Sequence, residues 1–209
     1  MLLEAGVSYY IVVDGFGGHS GGYTLAVDAA GIPVLACPDG AQAEGEPPPV
    51  FGVDDTYNCG CTCAGLPARF QKLPVDAAGS TLACFRSNWN GYPGAPVIDE
   101  DWLTVFTGQG GLLHFELAAE RATELIVRRT SCVYAVYYGF VTATANAPAA
   151  LDVRLAPGTP VWVELAPSPF FDPGVVLPLE YGLLLRIDGQ ETPTANEVSS
   201  WGALKAAYR

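Results

Sequence analysis

Positive charge is scarce in this 209-residue chain. It has 10 lysines and arginines against 22 aspartates and glutamates, which gives a formal net charge of −12. A surface of that sign repels phosphate backbones and anionic lipid head groups. We therefore expect no nucleic-acid partner.

Long apolar runs are missing too. No stretch reaches the roughly 18 uninterrupted apolar residues that a membrane-spanning helix needs. Residues 1–4 (MLLE) lack the basic region and the apolar core of a signal peptide. We therefore expect no membrane span, and we expect an export leader to lie upstream of this sequence.

There is also little room for long helices, because 24 glycines and 17 prolines interrupt the chain every few residues. Short alternating apolar runs between such turn residues are typical of antiparallel sheets. The pattern predicts strands over residues 79–86, 101–107, 112–117, 124–129, 133–140, 150–155, 160–165 and 176–187. Strands of this number and length bury their apolar faces by packing as two layers, so we expect an all-β, jelly-roll-like antiparallel β-sandwich. Trp201, Leu204 and Tyr208 have helical spacing, which predicts one short C-terminal helix.

Two distant stretches share one pattern, which predicts tandem β-domains. Residues 3–12 and 155–164 each place a leucine and a turn glycine before an alternating strand, and a second strand follows in both. We expect residues 1–30 to be the C-terminal hairpin of a preceding domain. Residues 33–190 would then be a complete sandwich, and residues 191–209 a linker with a short amphipathic tail.

The cysteines indicate an oxidising compartment. The six are Cys37, Cys59, Cys61, Cys63, Cys84 and Cys132. An even number in a turn-rich β-domain favours disulfides over free thiols, and three sulfurs one residue apart cannot all reach one tetrahedral zinc without strain. Six cysteines allow 15 connectivities, and the sequence does not choose among them. We expect a secreted or cell-surface protein.

Several short segments, taken in order, resemble the bacterial pre-peptidase C-terminal domain family. They are residues 44–47 (EGEP), 78–82 (AGSTL), 99–105 (DEDWLTV), 155–163 (LAPGTPVWV) and 181–184 (YGLL). The resemblance implies a secreted sandwich that is appended to peptidases or other exported enzymes and has no catalytic residues of its own. Relatives in clostridial collagenases bind calcium and collagen. This chain differs from them at the prolines of residues 47–49, which replace the usual Asn-Asp, and in its extra cysteines.

Clustered carboxylates on loops are candidates for a hard cation. Asp99, Glu100 and Asp101 precede Trp102 at the start of a strand. Residues 54–55 add two aspartates in the predicted loop that carries the cysteines of residues 59–63. Calcium takes six to eight oxygen ligands, so the first three residues are the candidate calcium ligands. The alternative is that they are solvated turn acids.

Aromatic residues fall into two groups by their predicted position. We expect the strand group, Tyr134, Tyr137, Tyr138 and Phe140, to fill the core. We expect the loop group, Trp89, Tyr92, Phe170 and Phe171, to be exposed platforms for sugar rings or for a protein ligand. The alternative for the loop group is that the rings only fasten their loops.

The sequence does not combine a nucleophile, a base and an orienting group, so we do not expect an enzyme. His114 lies in a predicted strand, on the face of Leu112 and Glu116, and is expected to be a structural or surface histidine and not a catalytic one. The favoured function is a non-catalytic exported accessory or adhesion module, which works beside neighbouring domains of a larger protein. The alternative is a calcium-stabilised domain that binds an extracellular polysaccharide or protein.

Overall fold

The fold is described from a computed structural model. The structure describes residues 35–47, 50, 53, 56–63, 67–92, 95–134, 136–145, 147–168 and 179–192, with backbone alone at 89–92, 95–97 and 179–181. The chain divides into two units, Met1–Gly31 and Ile32–Arg209, and every described residue belongs to the second. The predicted hairpin of residues 1–30 and the predicted helix of residues 201–209 lie outside the described residues, so both stay predictions.

Ten strands lie within the described residues. They are β1 (Gln42–Ala43), β2 (Thr81–Tyr92), β3 (Ala95–Ile98), β4 (Asp101–Phe106), β5 (Leu112–Ala119), β6 (Thr123–Arg129), β7 (Tyr137–Ala143), β8 (Ala149–Arg154), β9 (Pro160–Pro167) and β10 (Leu179–Asp188). They form a six-stranded sheet in the order β1-β2-β10-β5-β8, with β3 paired to β2, and a four-stranded sheet in the order β4-β9-β6-β7. The predicted all-β sandwich is confirmed. Over the same residues, no helix has the length and apolarity needed to cross a membrane.

In each sheet, one of the last two strands in chain order occupies an interior position. β10 is paired with β2 on one side and with β5 on the other. In the second sheet, β9 is paired with β4 and with β6. These pairings are antiparallel, whereas β1 runs parallel to β2. Each sheet therefore joins strands that are far apart in the sequence.

Alternating side chains build the core between the sheets. In β5, Leu113, Phe115 and Leu117 are fully buried, while His114 and Glu116 point to the opposite face. This period of two is what a strand imposes, because successive side chains project to opposite faces of a sheet. Phe85, Leu103, Leu125, Val163 and Leu185 extend the same core across both sheets.

The outer face of the four-stranded sheet is partly covered by an irregular segment. We call residues 56–63 and 67–71 the covering segment. Trp102 is 1% exposed beneath it, and a Cβ at Gly60, whose φ is +49°, would collide with the Trp102 ring. The Gln71 amide donates to the Trp102 carbonyl over 2.9 Å, so the segment also pairs with the edge of β4. Trp102 is therefore buried outside the sandwich core, which a strand pattern alone does not reveal.

All six cysteines are paired, which confirms the predicted disulfides. The pairs are Cys37–Cys84, Cys59–Cys63 and Cys61–Cys132. The first bridge attaches the segment before β1 to β2. The second closes a small loop within the covering segment, and the third ties that segment to the connection between β6 and β7.

Candidate functional site

Three carboxylates, two from the segment after β1 and one from the start of β4, lie close together in the fold. Glu44 follows β1, Glu46 lies two residues further on, and Asp101 begins β4. One oxygen from each lies within 4.8 Å of the others. Glu44 and Asp101 are buried and Glu46 is half-buried. We call these three residues the acid cluster.

The local backbone explains why Glu44 reaches this position. β1 pairs with β2 at residues 83 and 84, and the Glu44 amide donates to the Cys84 carbonyl over 3.0 Å. The Arg86 amide in turn donates to Glu44 Oε2 over 3.2 Å. Residues 42–44 are therefore held against β2, and the Glu44 carboxylate points inward.

Asn58 of the covering segment links the buried carboxylates. Its Nδ2 donates to Glu44 Oε1 over 2.9 Å and to Asp101 Oδ1 over 3.0 Å. Among the described residues, Asp101 Oδ2 and Asn58 Oδ1 are buried without a hydrogen-bond partner. A buried acceptor left without a donor costs about 1–3 kcal/mol. The site therefore has more oxygen acceptors than donors.

The surroundings of Asp101 oppose its negative charge. Burial raises the pKa of Asp101 well above its ordinary value, and the neighbouring Glu44 carboxylate raises it further. The Asn58 hydrogen bond acts in the opposite direction but is the smaller effect. A proton or a cation at the cluster would relieve this repulsion.

The donor set matches a hard cation. It consists of the carboxylate oxygens of Glu44, Glu46 and Asp101. Calcium prefers such oxygen ligands, whereas structural zinc prefers sulfur and imidazole nitrogen. The residues of the acid cluster therefore fit calcium.

The three candidate ligands from the sequence have different surroundings. Asp101 lies in the acid cluster. Asp99 Oδ2 accepts a hydrogen bond from Asn88 Nδ2 over 2.8 Å. Glu100 Oε2 accepts from Thr62 Oγ1 over 2.8 Å and from the Trp102 indole over 3.3 Å. Only Asp101 of the three is thus brought together with Glu44 and Glu46.

Sequence reasoning missed Glu44, Glu46 and Asn58. Glu44 and Glu46 stand in the acidic, proline-rich residues 44–49, a composition that predicts an extended, solvated linker, whereas Glu44 is buried. Two acids spaced by one residue before a proline run was the available signal. Asn58 had none, because its contact with Asp101 spans 43 positions of the chain.

The predicted aromatic platform is described only in part. Trp89 and Tyr92 lie in β2, where they pair with Ile98 and Ala95 of β3. Both residues were expected in a loop, but β2 extends to Tyr92. The side chains of Trp89 and Tyr92, and the whole of Phe170 and Phe171, lie outside the described residues, so their role as a platform stays a prediction.

The strand aromatics that were expected in the core are at the surface, so that prediction is wrong. Tyr134, Tyr137, Tyr138 and Phe140 are 73%, 56%, 37% and 66% exposed. Tyr134 lies in the connection between β6 and β7. The other three lie in β7, which is the end strand of its sheet, and the apolar side chains of β7 occur at almost every position instead of alternating. We call residues 133–140 the aromatic segment.

His114 lies at the surface of the other sheet, as expected. Its Nδ1 is 2.6 Å from Asp152 Oδ1, and Glu116 lies 3.5 Å from its Nε2. The hydrogen bond to Asp152 raises the pKa of His114. All three side chains are solvent-exposed, so the group is best described as a surface ion pair.

Comparison with known proteins identifies no family. No protein-family model matches the chain, and no curated protein matches it. Solved structures similar to it include a mutant of the carbohydrate-binding module CBM29-2, at 12% identity and a TM-score of 0.29 over 56% of this chain and 89% of that one. Another is a second family 29 mutant, at 12% identity and a TM-score of 0.30 over 57% and 89%. Likeness at this level assigns neither a family nor a function.

Proposed function

We propose that this chain is a non-catalytic accessory or adhesion module that works outside the cytosol as part of a larger exported protein. The observation that carries the proposal is the aromatic segment. Six of its large apolar side chains are exposed: Val133, Tyr134, Val136, Tyr137, Tyr138 and Phe140. Several large exposed apolar side chains within one short segment are typical of an interaction site.

The disulfides support the location. Bridges of this kind persist in oxidising compartments and are rare in the cytosol. Cys61–Cys132 ends one residue before the aromatic segment, so it fixes the start of the exposed surface. A secreted binding module would gain both stability and a defined surface from this bridge.

The proposal is tested by a pull-down with the disulfide-intact chain. The solid phases are insoluble glucan, chitin and fibrillar collagen. The double variant Tyr134→Ser, Phe140→Ser should lose at least tenfold in retention, since it removes exposed apolar area at the segment. The matched control is Val50→Ser, Val53→Ser, which changes two exposed apolar residues elsewhere. Retention on none of the phases, or equal retention of all three proteins, would overturn the proposal.

A second candidate is a calcium-stabilised binding domain, and the acid cluster favours it. A cation that binds only the folded state at 100 times its Kd adds about 2.7 kcal/mol of stability. For a domain of this size, that corresponds to a rise in Tm of about 5–10 °C. Calcium would bind to Glu44, Glu46 and Asp101 and offset their repulsion.

The second candidate is tested by calorimetric titration of chelator-treated protein with calcium chloride. We expect heat of binding and a higher Tm for the parent chain, and neither for Asp101→Asn. The control Asp152→Asn changes an exposed acid on the other sheet and should respond as the parent does. Absence of both effects in the parent would remove this candidate and leave the first one intact.

A further inference from the structure

We infer that the outer face of β7 is a binding platform for a neutral polysaccharide whose sugar rings stack on Tyr137 and Phe140. The inference rests on the proposed function, because it names the ligand class of the aromatic segment. It goes beyond the loop aromatics expected from the sequence, since it uses two residues that were assigned to the core.

A β-bulge brings the two rings to one face of the sheet. In a regular strand, residues three positions apart point to opposite faces. The register between β6 and β7 shifts at Val127/Arg128, so that Phe140 pairs with Ile126 while Tyr137 pairs with Arg128. One extra residue in β7 therefore puts Tyr137 and Phe140 on the same face.

That face points away from the core. Leu125 and Val127 of β6 are fully buried between the sheets, so Ile126 and Arg128 project outward. Directly paired residues share a face, and Phe140 and Tyr137 therefore project outward as well. Their partners are two positions apart on β6, which corresponds to about 7 Å along the strand. The rings thus occupy neighbouring rows of the outer face.

Tyr137 is held in place by a stack of side chains. The Arg128 guanidinium lies 5.4 Å from the Tyr137 ring centroid and 4.8 Å from that of Trp102. Arg128 Nη1 also donates to Glu164 Oε2 over 2.8 Å, and both side chains are largely buried. Cation–π contacts and this ion pair orient the Tyr137 ring before a ligand arrives. A ring that is already ordered loses little entropy on binding.

The rim of the platform offers hydrogen-bonding groups. Glu124 and Thr142 form the next pair along β6 and β7, on the same outward face as Ile126 and Phe140. A sugar ring has a C–H face, which packs on aromatic rings, and hydroxyl groups at its edge, which need polar partners. Two exposed rings with a carboxylate and a hydroxyl beside them provide both kinds of contact.

Charge favours a neutral polymer. Residues 130–143 contain no charged side chain, within a chain of net charge −12. An anionic polysaccharide would be repelled by the protein as a whole, and residues 130–143 offer no cation to anchor it. A neutral chain meets neither obstacle, and it can extend along the sheet over both rings.

Electrophoresis in gels containing polysaccharide tests the inference with the full chain. The neutral gels contain soluble β-glucan, galactomannan or hydroxyethyl cellulose, and the anionic gels contain alginate or pectin. We expect retardation in at least one neutral gel and none in the anionic gels. Tyr137→Ala and Phe140→Ala should each weaken affinity by about tenfold. The matched controls Tyr137→Phe and Phe140→Tyr keep a ring and should keep affinity within about twofold.

Other results would overturn the inference. These are retardation in the anionic gels alone, retardation in no gel, or equal retardation of the alanine variants and the parent. Sedimentation velocity tests whether a second copy of the chain binds to this surface instead of a polysaccharide. Self-association that the alanine variants abolish, with no polysaccharide affinity, would assign the surface to a second copy of the chain. Retention on collagen but on no polysaccharide would leave the proposed function standing and reject only the sugar ligand.

Discussion

At the scale of single residues, the surroundings of Asp101 strongly disfavour its negative charge. It is fully buried, with Glu44 beside it, and one of its oxygens has no donor among the described residues. A proton and a divalent cation are alternative ways to neutralise such a site. Without a cation, the stability of the fold should therefore depend on pH.

The direction of that dependence follows from the raised pKa of Asp101. The folded state keeps a proton that the unfolded chain releases above about pH 4, so the contribution of Asp101 to stability is most favourable below that pH and is lost as pH rises through the raised pKa. In chelator, urea midpoints should fall between pH 4 and pH 8 for the parent chain. Asp101→Asn should show a smaller fall. Parallel profiles for the two proteins would contradict this assignment.

Trp102 is the residue on which the covering segment depends. Trp102→Ala should lower the free energy of unfolding by about 3–5 kcal/mol, because it leaves a cavity beneath Gly60 and beside Phe70. Phe140→Ala, at an exposed ring, should cost less than about 0.5 kcal/mol. Urea denaturation of both variants measures the difference. Similar small losses in both would show that the segment does not pack on Trp102.

At the scale of elements, the disulfides differ in the length of chain that they close. Cys61 and Cys132 are 71 positions apart, whereas Cys59 and Cys63 are 4 apart. In the chain-entropy model a longer closed loop restricts the unfolded state more. Cys61–Cys132 is therefore expected to contribute more to stability than Cys59–Cys63.

This expectation is tested with two double variants. Cys61→Ser, Cys132→Ser should cost about 4 kcal/mol, and Cys59→Ser, Cys63→Ser about 2 kcal/mol. Guanidinium unfolding under non-reducing conditions measures both, and free-thiol titration confirms that the other bridges remain intact. A larger loss of stability from removing Cys59–Cys63 would mean that contacts of residues 59–63 in the folded state outweigh the restriction that Cys61–Cys132 places on the unfolded chain.

The sequence predicted the elements better than it predicted their faces. Alternation and turn residues located eight strands, which correspond to β2 and β4–β10, because period-two burial is a local property. β1 and β3 are two and four residues long, too short to give a pattern. The exposure of Tyr137 and Phe140 depends on a bulge and on an end position in the sheet, and both are set by pairing with distant residues.

The candidate site was predictable to a similar degree. Asp101 stood out as part of an acidic run, and the cysteines stood out by their number. Which acids meet depends on how β1 lies against β2 and where the covering segment crosses β4. Those are tertiary contacts, so Glu44, Glu46 and Asn58 emerged only from the structure.

At the scale of the whole molecule, folding of the sandwich is expected to require β10, because this strand lies between β2 and β5 in the larger sheet. Truncation at residue 178 would remove the strand that joins β2 to β5, and the buried Leu183, Leu185 and Ile187 would be missing from the core. We expect this truncated chain to lack a cooperative thermal transition. Differential scanning calorimetry and near-ultraviolet circular dichroism check this outcome. A sharp transition in the truncated chain would show that the two sheets are independent of β10.

The position of β9 and β10 also bears on how the protein is made. As the polypeptide leaves the ribosome, the strand that joins β4 to β6 and the strand that joins β2 to β5 are the last two strands to emerge. Pairing between such distant segments is slow, and the nascent chain exposes apolar surface meanwhile. The sandwich can therefore close only after β9 and β10 have both been synthesised, so most of its tertiary structure is expected to form after translation of these two strands.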